Sequence, residues 1–182
     1  MCDAAQERRL KMKRYIGTKI IMAKPMTRGN YNTYRGWEIP KNENPDDKGF
    51  FVKYPDGYES WSPESVFEEA YRECDNMTFG LAIEAMKKGY RVARKGWNGK
   101  KMCIFLTKGS DVPYANLKEH NQEALVCARS DELPRGKDGF MNVETPIHIN
   151  SHIDMIAADG SIVIGWLASQ TDILAEDWVF VD

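Results

Sequence analysis

The stretch Thr78-Phe79-Gly80-Leu81-Ala82-Ile83-Glu84-Ala85-Met86-Lys87-Lys88-Gly89-Tyr90-Arg91-Val92-Ala93-Arg94-Lys95-Gly96-Trp97-Asn98-Gly99, with the run Met102 to Thr107 that follows it, decides the fold. Thr78 can cap a helix whose inward face is Phe79, Ala82, Ile83 and Met86, and Gly89 stands just past its end. Tyr90 to Arg94 then reads as a strand, Gly96 to Gly99 as a turn and Met102 to Thr107 as a second strand. The turn and the two strands make a hairpin, because Asn-Gly is a favoured two-residue connection.

Working outward, the same grammar recurs. Upstream, Gly49 to Tyr54, Pro55-Asp56-Gly57 and Tyr58 to Trp61 read as a second hairpin with turn geometry at Pro-Asp-Gly. Lys19 to Ala23 reads as a strand that Pro25 ends. Ser62 before Pro63 reads as an N-cap and first-turn proline opening a helix to about Glu73, with Val66, Phe67, Ala70, Tyr71 and Cys74 on its apolar face. Downstream, residues 108–146 are polar and turn-rich, a long loop of the kind that is functional or mobile. Ile147 to Ala157 and Ser161 to Ile164 flank the turn Ala158-Asp159-Gly160. A short helical turn around Ser169 to Ala175 and a last strand, Trp178 to Val181, follow. The expected fold class is α+β, with antiparallel sheets and one packed helix per module. The expected organisation is a charged tail over 1–14, a small module over 15–75, and a larger domain over 76–182 carrying the 108–146 insertion.

Composition bounds the function. The chain has 182 residues, 42% hydrophobic and 29% charged, as in an ordinary globular protein. Mean hydropathy is -0.54 and no long apolar run is present, which argues against a transmembrane helix. Met1 to Arg14 is charged, so no secretory signal is expected. Cys2, Cys74, Cys103 and Cys127 show no Cys-x-x-Cys pair, and reduced thiols are expected.

The net charge of -2 hides segregation. Residues 1–35 carry nine Lys/Arg against two acids, and residues 41–75 carry four against ten. Lys87 to Lys101 holds seven bases and no acid, with Trp97 inside it. The first run reads as a solvated tail, with a nucleic-acid arm the less favoured reading.

Two tryptophan blocks carry the chemistry. Gly96-Trp97-Asn98-Gly99-Lys100 is partly explained as a hairpin turn, but an indole at the tip of a basic ribbon is also suited to stacking on a base or ribose, with Arg94 near phosphate. Gly165-Trp166-Leu167-Ala168-Ser169-Gln170-Thr171-Asp172-Ile173-Leu174-Ala175-Glu176-Asp177-Trp178 sets four short polar side chains, Ser169 to Asp172, between two indoles. Ser169 or Thr171 can cap the following helix, yet capping uses one side chain, and Asp172 can accept from a ribose hydroxyl. The expected ligand is aromatic and anionic, such as a nucleotide.

Other motifs point elsewhere or nowhere. His148 and His152 lie four apart, but zinc needs more ligands than these and His120 supply, so no metal is expected. The Asn42 to Gly49 run has a calcium-loop flavour, but Pro45 interrupts it and the twelfth position from Asn42 is Lys53. No G-x-S-x-G, HExxH or Walker-type loop is present, and no carboxylate pair is marked as acid and base. A binder without cofactor, rather than an enzyme, is the expectation.

With these residues in view, Thr78 to Met86, Val92 to Gly99 and the Trp166 to Trp178 run resemble a phage family, the second type of Thoeris anti-defence protein, over residues 76–182. The resemblance implies a sponge for a cyclic ADP-ribose-type messenger, which members bind without cleaving in the infected bacterial cytoplasm. It further implies a homotetramer with pockets at subunit contacts, and cyclic dinucleotides as a second ligand class in some members. By that likeness Trp97 stacks on the ligand, Phe79, Asn98, Trp166, Ala168, Ser169, Gln170, Thr171 and Asp172 line the pocket, and Arg94 lies near phosphate. The resemblance assigns no role to residues 15–74. Two other classes remain open on the residues alone: an enzyme that degrades the same messenger, and a nucleic-acid or virion adaptor.

Overall fold

The computed structural model describes residues 18–97, 101–129, 131–137, 139 and 142–181. The chain divides between Arg72 and Glu73 into two compact units.

The first unit contains β1 (Met22–Pro25), α1 (Arg28–Arg35), β2 (Gly49–Lys53), β3 (Glu59–Pro63) and α2 (Glu64–Ala70). Its strands form one antiparallel sheet in the order β1-β2-β3. The register sets Lys24, Phe51 and Trp61 on one face and Pro25, Phe50 and Ser62 on the other. Helix α1 covers the first face, with Tyr31 buried 6.3 Å from Phe51 and Tyr34 edge-on to Phe51 at 5.4 Å. Helix α2 serves the second, where Phe67 stacks on Phe50 at 4.1 Å. The Pro-Asp-Gly turn forms as expected, with Gly57 at φ 85°.

Several local expectations change. Strand β1 starts at Met22, not Lys19, and includes Pro25, which an edge strand tolerates because no partner needs its missing N–H. Pro63, not Ser62, occupies the N-cap of α2 and offers no side-chain cap, while Ser62 turns its hydroxyl to the Pro63 carbonyl. That helix stops at Ala70, short of Glu73. Helix α1 was not expected at all. Thr27 caps it by accepting from the Asn30 N–H, and Gly36 ends it at φ 69°. The run with a calcium-loop flavour has a different use. Glu43 receives Arg28 Nε at 2.7 Å and Nη2 at 2.8 Å, plus Asn32 Nδ2 at 3.2 Å.

The second unit contains α3 (Phe79–Lys87), β4 (Arg91–Arg94), β5 (Cys103–Thr107), β6 (Ser110–Pro113), α4 (Glu119–Arg129), β7 (Pro146–Ile149), β8 (His152–Ile156), β9 (Ile162–Val163), α5 (Gln170–Ile173) and β10 (Trp178–Val181). Five strands make an antiparallel sheet in the order β10-β4-β5-β8-β9. Phe180, Val92, Ile104, Met155 and Val163 line up across it in one row. Helix α3 lies over this row with Ala82, Ala85 and Met86 buried, and Thr78 caps it through the Leu81 N–H.

The fold class is α+β with antiparallel sheets, as expected, though each unit carries more than one helix. Residues 108–146 are not a structureless loop. They contain β6, a 3-10 turn over Tyr114–Asn116, α4 and the start of β7, and β6 pairs with β7. Gln122 Nε2 ties α4 to the turn by donating to the Tyr114 and Leu117 carbonyls. The apolar run from Ile147 to Ala157 breaks at Asn150-Ser151 into β7 and β8, which belong to different sheets. No helix among the described residues is long and apolar enough to cross a membrane.

At Gly49, an added Cβ would overlap the Ser62 carbonyl oxygen and the Trp61 indole. The Gly49→Ala variant is expected to lose about 1–3 kcal/mol of stability from this overlap. Urea unfolding followed through the first unit measures it, and an unchanged midpoint would mean that strand β3 can move aside.

Candidate ligand-binding site

The two tryptophan blocks converge because β10 pairs with β4. Trp178 lies opposite Arg94 in the register, which brings the end of the Trp166 to Trp178 run beside the start of the Trp97 turn. The Met77 and Trp178 backbones hydrogen-bond in both directions, at 2.9 and 3.1 Å, so α3 starts at the same place. Around the fully buried Trp178 ring, Phe79 stands at 5.3 Å, Trp97 at 5.5 Å and Trp166 at 6.4 Å, the two indoles both edge-on. Trp97 and Trp166 also meet each other edge-on at 6.3 Å. Edge-to-face contacts of this kind suit the ring quadrupoles.

Trp97 therefore does not sit at an exposed ribbon tip. It ends a 3-10 turn over Lys95–Trp97 and is half-buried against the core. Asn98 lies outside the described residues, as do the rest of the expected two-residue turn and Lys100. The neighbouring Lys101 takes a left-handed φ of 56°.

A polar layer adjoins the rings. Helix α5 begins with a reciprocal capping box: Ser169 Oγ accepts from the Asp172 N–H, and Asp172 Oδ2 accepts from the Ser169 N–H at 3.1 Å. Ser169 Oγ also donates to Asp172 Oδ2 at 2.6 Å and lies 2.7 Å from Thr171 Oγ1. Arg94 Nη1 donates to Asp172 Oδ1 at 2.9 Å and to the Thr171 carbonyl at 3.3 Å. Its Nε and Nη2 bind the two oxygens of Asp177, and its guanidinium carbon lies 5.7 Å over the Trp178 ring. The Trp178 Nε1–H closes the circuit by donating to the Asp172 carbonyl at 3.1 Å.

This layer alters two sequence expectations. Arg94 is committed to two carboxylates and one carbonyl, which leaves one Nη2 proton for any further acceptor among the described residues. Asp172 has both oxygens engaged, so the density of short polar groups between Ser169 and Asp172 is largely local architecture. Gln170, exposed at the start of α5, makes no side-chain hydrogen bond among the described residues, while Ala168 is half-buried beside it. The structure thus brings together Phe79, Arg94, Trp97, Trp166, Ser169, Thr171 and Asp172. The sequence reading took Trp178 only as the second indole flanking the polar run, without listing it among the site residues, and gave Asp177 no role. The signal was present as Asp-Trp at the mouth of the last strand, but its meaning depends on Arg94, far away in the chain.

The layer sets one cation against two carboxylates. Hydrogen bonding to Asp177 raises the Arg94 pKa against the opposing effect of burial, with Asp172 adding to the rise. Burial alone would raise the Asp172 carboxyl, but the Ser169 hydroxyl and N–H and Arg94 outweigh it and hold it below the usual carboxylate range.

Other candidate centres do not assemble. His148 and His152 do not share a face, because they stand on strands of separate sheets. His148 Nδ1 lies 2.8 Å from Asp111, and no group of three metal-ligating side chains occurs among the described residues. A shallow cavity of about 260 Å³ opens beside β4 and β5, lined chiefly by Met86, Tyr90, Arg91, Phe105, Leu106 and Ile156. It includes none of the expected site residues. The convergence of rings and polar groups at Trp178, rather than this cavity, defines the candidate site.

The second unit is thus an antiparallel α+β domain that presents half-buried indoles beside a hydrogen-bonded polar layer. The family described as the Thoeris anti-defense 2-like domain matches residues 77–181, a span that runs through 108–146. The chain belongs to this family. It is 36% identical over 105 residues to the protein named Thoeris anti-defense 2 from Bacillus phage SP01, covering 58% of this chain and 94% of that relative.

The polar layer predicts a pH signature. Because the folded Asp172 pKa is lowered, its stabilising effect is complete above the unfolded value of about 3.9 and is lost as pH falls through the folded value. Asp172→Asn should therefore melt below the parent at neutral pH, with the gap closing on acidification below about pH 4. Melting temperatures across that range check this, and a gap that is constant with pH would count against it.

Proposed function

We propose that this protein binds a cyclic ADP-ribose-type messenger, glycocyclic ADP-ribose foremost, and withholds it intact from the Thoeris effector in the cytoplasm of the infected host. The observation that carries this reading is the half-exposed pair Trp97 and Trp166 beside Phe79, with Ser169, Gln170 and Thr171 exposed at the rim. Indole faces give stacking area for a base, and the short polar groups give orientation. Family membership supports it, since the relative from phage SP01 is named for opposing Thoeris. Cyclic dinucleotides are the second ligand class to test.

A sponge must hold a scarce messenger tightly, and nanomolar affinity corresponds to about -12 kcal/mol. A small ligand approaches that value when nearly enclosed. One protomer leaves the rim open, so a second copy is the natural opposite wall. Ile162, Ile164, Leu167 and Leu174 are 61%, 76%, 88% and 77% exposed, an apolar set that supports a homo-oligomer, with a tetramer as its proposed size. Sequestration asks for no acid, base or nucleophile, in keeping with a sequence that carries no catalytic signature.

Calorimetric titration with glycocyclic ADP-ribose and a panel of cyclic dinucleotides tests the reading, followed by heat release and mass identification of the nucleotide. Trp97→Ala should cost about 1–3 kcal/mol of binding through lost stacking. Gln170→Ala, which disturbs no packing, should cost about 1 kcal/mol. Recovery of a cleaved product would move the protein to the enzyme class, and absence of binding would leave the family fold without this ligand. Light scattering checks the assembly: Leu167→Asp should shift the particle to a smaller mass, and a parent that is already monomeric would remove the second wall.

A further inference from the structure

Behind the ring cluster, Asp154 is a buried carboxylate on β8 with no Lys or Arg paired to it among the described residues. A buried carboxylate is costly unless its charge and lone pairs are met. Three groups meet them. Thr107, diagonal to it on β5, donates its hydroxyl to Asp154 Oδ2. The Gly165 N–H donates to Oδ1 at 3.0 Å. His152 Nε2 faces Oδ1 at 3.4 Å from two residues away on the same strand face.

The other side of the imidazole is held as well. His152 Nδ1 lies 2.8 Å from the Asn150 carbonyl oxygen, which can only accept, so Nδ1 carries a proton. The carbonyl is also held in place, because the adjacent Ser151 Oγ accepts from the Gly109 N–H at 2.9 Å. Asp154 is the charged group facing His152 from these packed elements, since Thr107 opposite it on β5 is neutral.

The consequence reaches the candidate site through one residue. Gly165, at φ 71°, is followed by Trp166, whose N–H donates to the Ile153 carbonyl at 2.7 Å. Strand β9 ends at Val163, so these two bonds hold the chain to β8 where regular strand pairing has stopped.

We propose that Asp154 is the positioning residue of the ligand-facing segment: by holding Gly165, Thr107 and the His152 ring together, it sets how Trp166 is presented beside Trp97 and Trp178. The link to binding rests on the sequestration reading, but the effect on Trp166 does not.

The test uses the full chain with 15N-labelled indoles and no ligand. The Trp166 indole resonance, assigned by Trp166→Phe, should move in Asp154→Asn and in His152→Gln, while the Trp61 indole resonance of the first unit stays in place. Messenger affinity should fall about tenfold in both variants, the equivalent of roughly 1.4 kcal/mol. A Trp166 resonance that stays unmoved in the folded variants would overturn the proposal. If Asp154→Asn does not fold, the half-exposed His152→Gln decides alone. If the parent binds no messenger, sequestration fails while the ligand-free resonances still judge Asp154.

Discussion

The second unit depends on the burial of one indole. Trp178 is fully buried, and a ring of that size removes about 150–250 Å² from water, on the order of 4–6 kcal/mol before entropic costs. An indole also brings one N–H that must not be left unmet. The Asp172 carbonyl receives it, which fixes α5 against β10. The Trp178 backbone pairs with Met77 and, through the strand register, with Arg94, which fixes the start of α3 and the end of β4. Helix, sheet edge and terminal turn thus share a single anchor.

Around that anchor lies a charged layer that hydrophobic packing alone would not need. Arg94 has a side chain 20% exposed and faces Asp172 and Asp177. One partner would leave guanidinium donors unmet at the edge of an apolar cluster, and two carboxylates plus the Thr171 carbonyl meet all but one of them. Removing either carboxylate leaves the other with an imperfectly matched cation, so the three residues act as a unit and not as separable ion pairs. The capping box joins this unit at Asp172, which makes the four-residue α5 depend on tertiary contacts and not on its own propensity.

Elements whose signals are local were legible in the sequence. Helix α3 has its cap, apolar stripe and terminal glycine in one continuous run, and the β2–β3 hairpin has its Pro-Asp-Gly turn between two aromatic-bearing runs. Helix α1 was missed because Gly29, Asn30, Asn32 and Thr33 are poor helix formers, and its order comes from Thr27, Gly36 and the Tyr31 contacts. Helix α4 bunches its apolar residues into the run Ala124 to Ala128 behind a polar first turn, so no stripe at helical spacing marks it and its segment read as a loop. The site divides in the same way. That the two tryptophan blocks belong together was readable from their composition, but the environment of Trp97 is decided by Trp166 and Trp178 across the sheet. No local rule reports that the basic ribbon turns its indole inward.

The rings nominated for binding are therefore also structural, and the two roles help each other. An aromatic surface on a mobile loop would lose side-chain freedom on meeting a ligand, at about 0.5–1.5 kcal/mol for each immobilised side chain. Trp97 and Trp166 have already been ordered by their contacts with Trp178, so a ligand placed against their outer faces meets rings whose freedom was surrendered in folding. The same economy limits mutational evidence. Truncating Trp97 removes a stacking face and a core contact together, whereas Gln170 stands at the rim with no structural duty among the described residues. Under the proposed sequestration, binding energy is separable from folding energy at the polar rim and inseparable from it at the rings, the expected condition of a site built on a domain's own core.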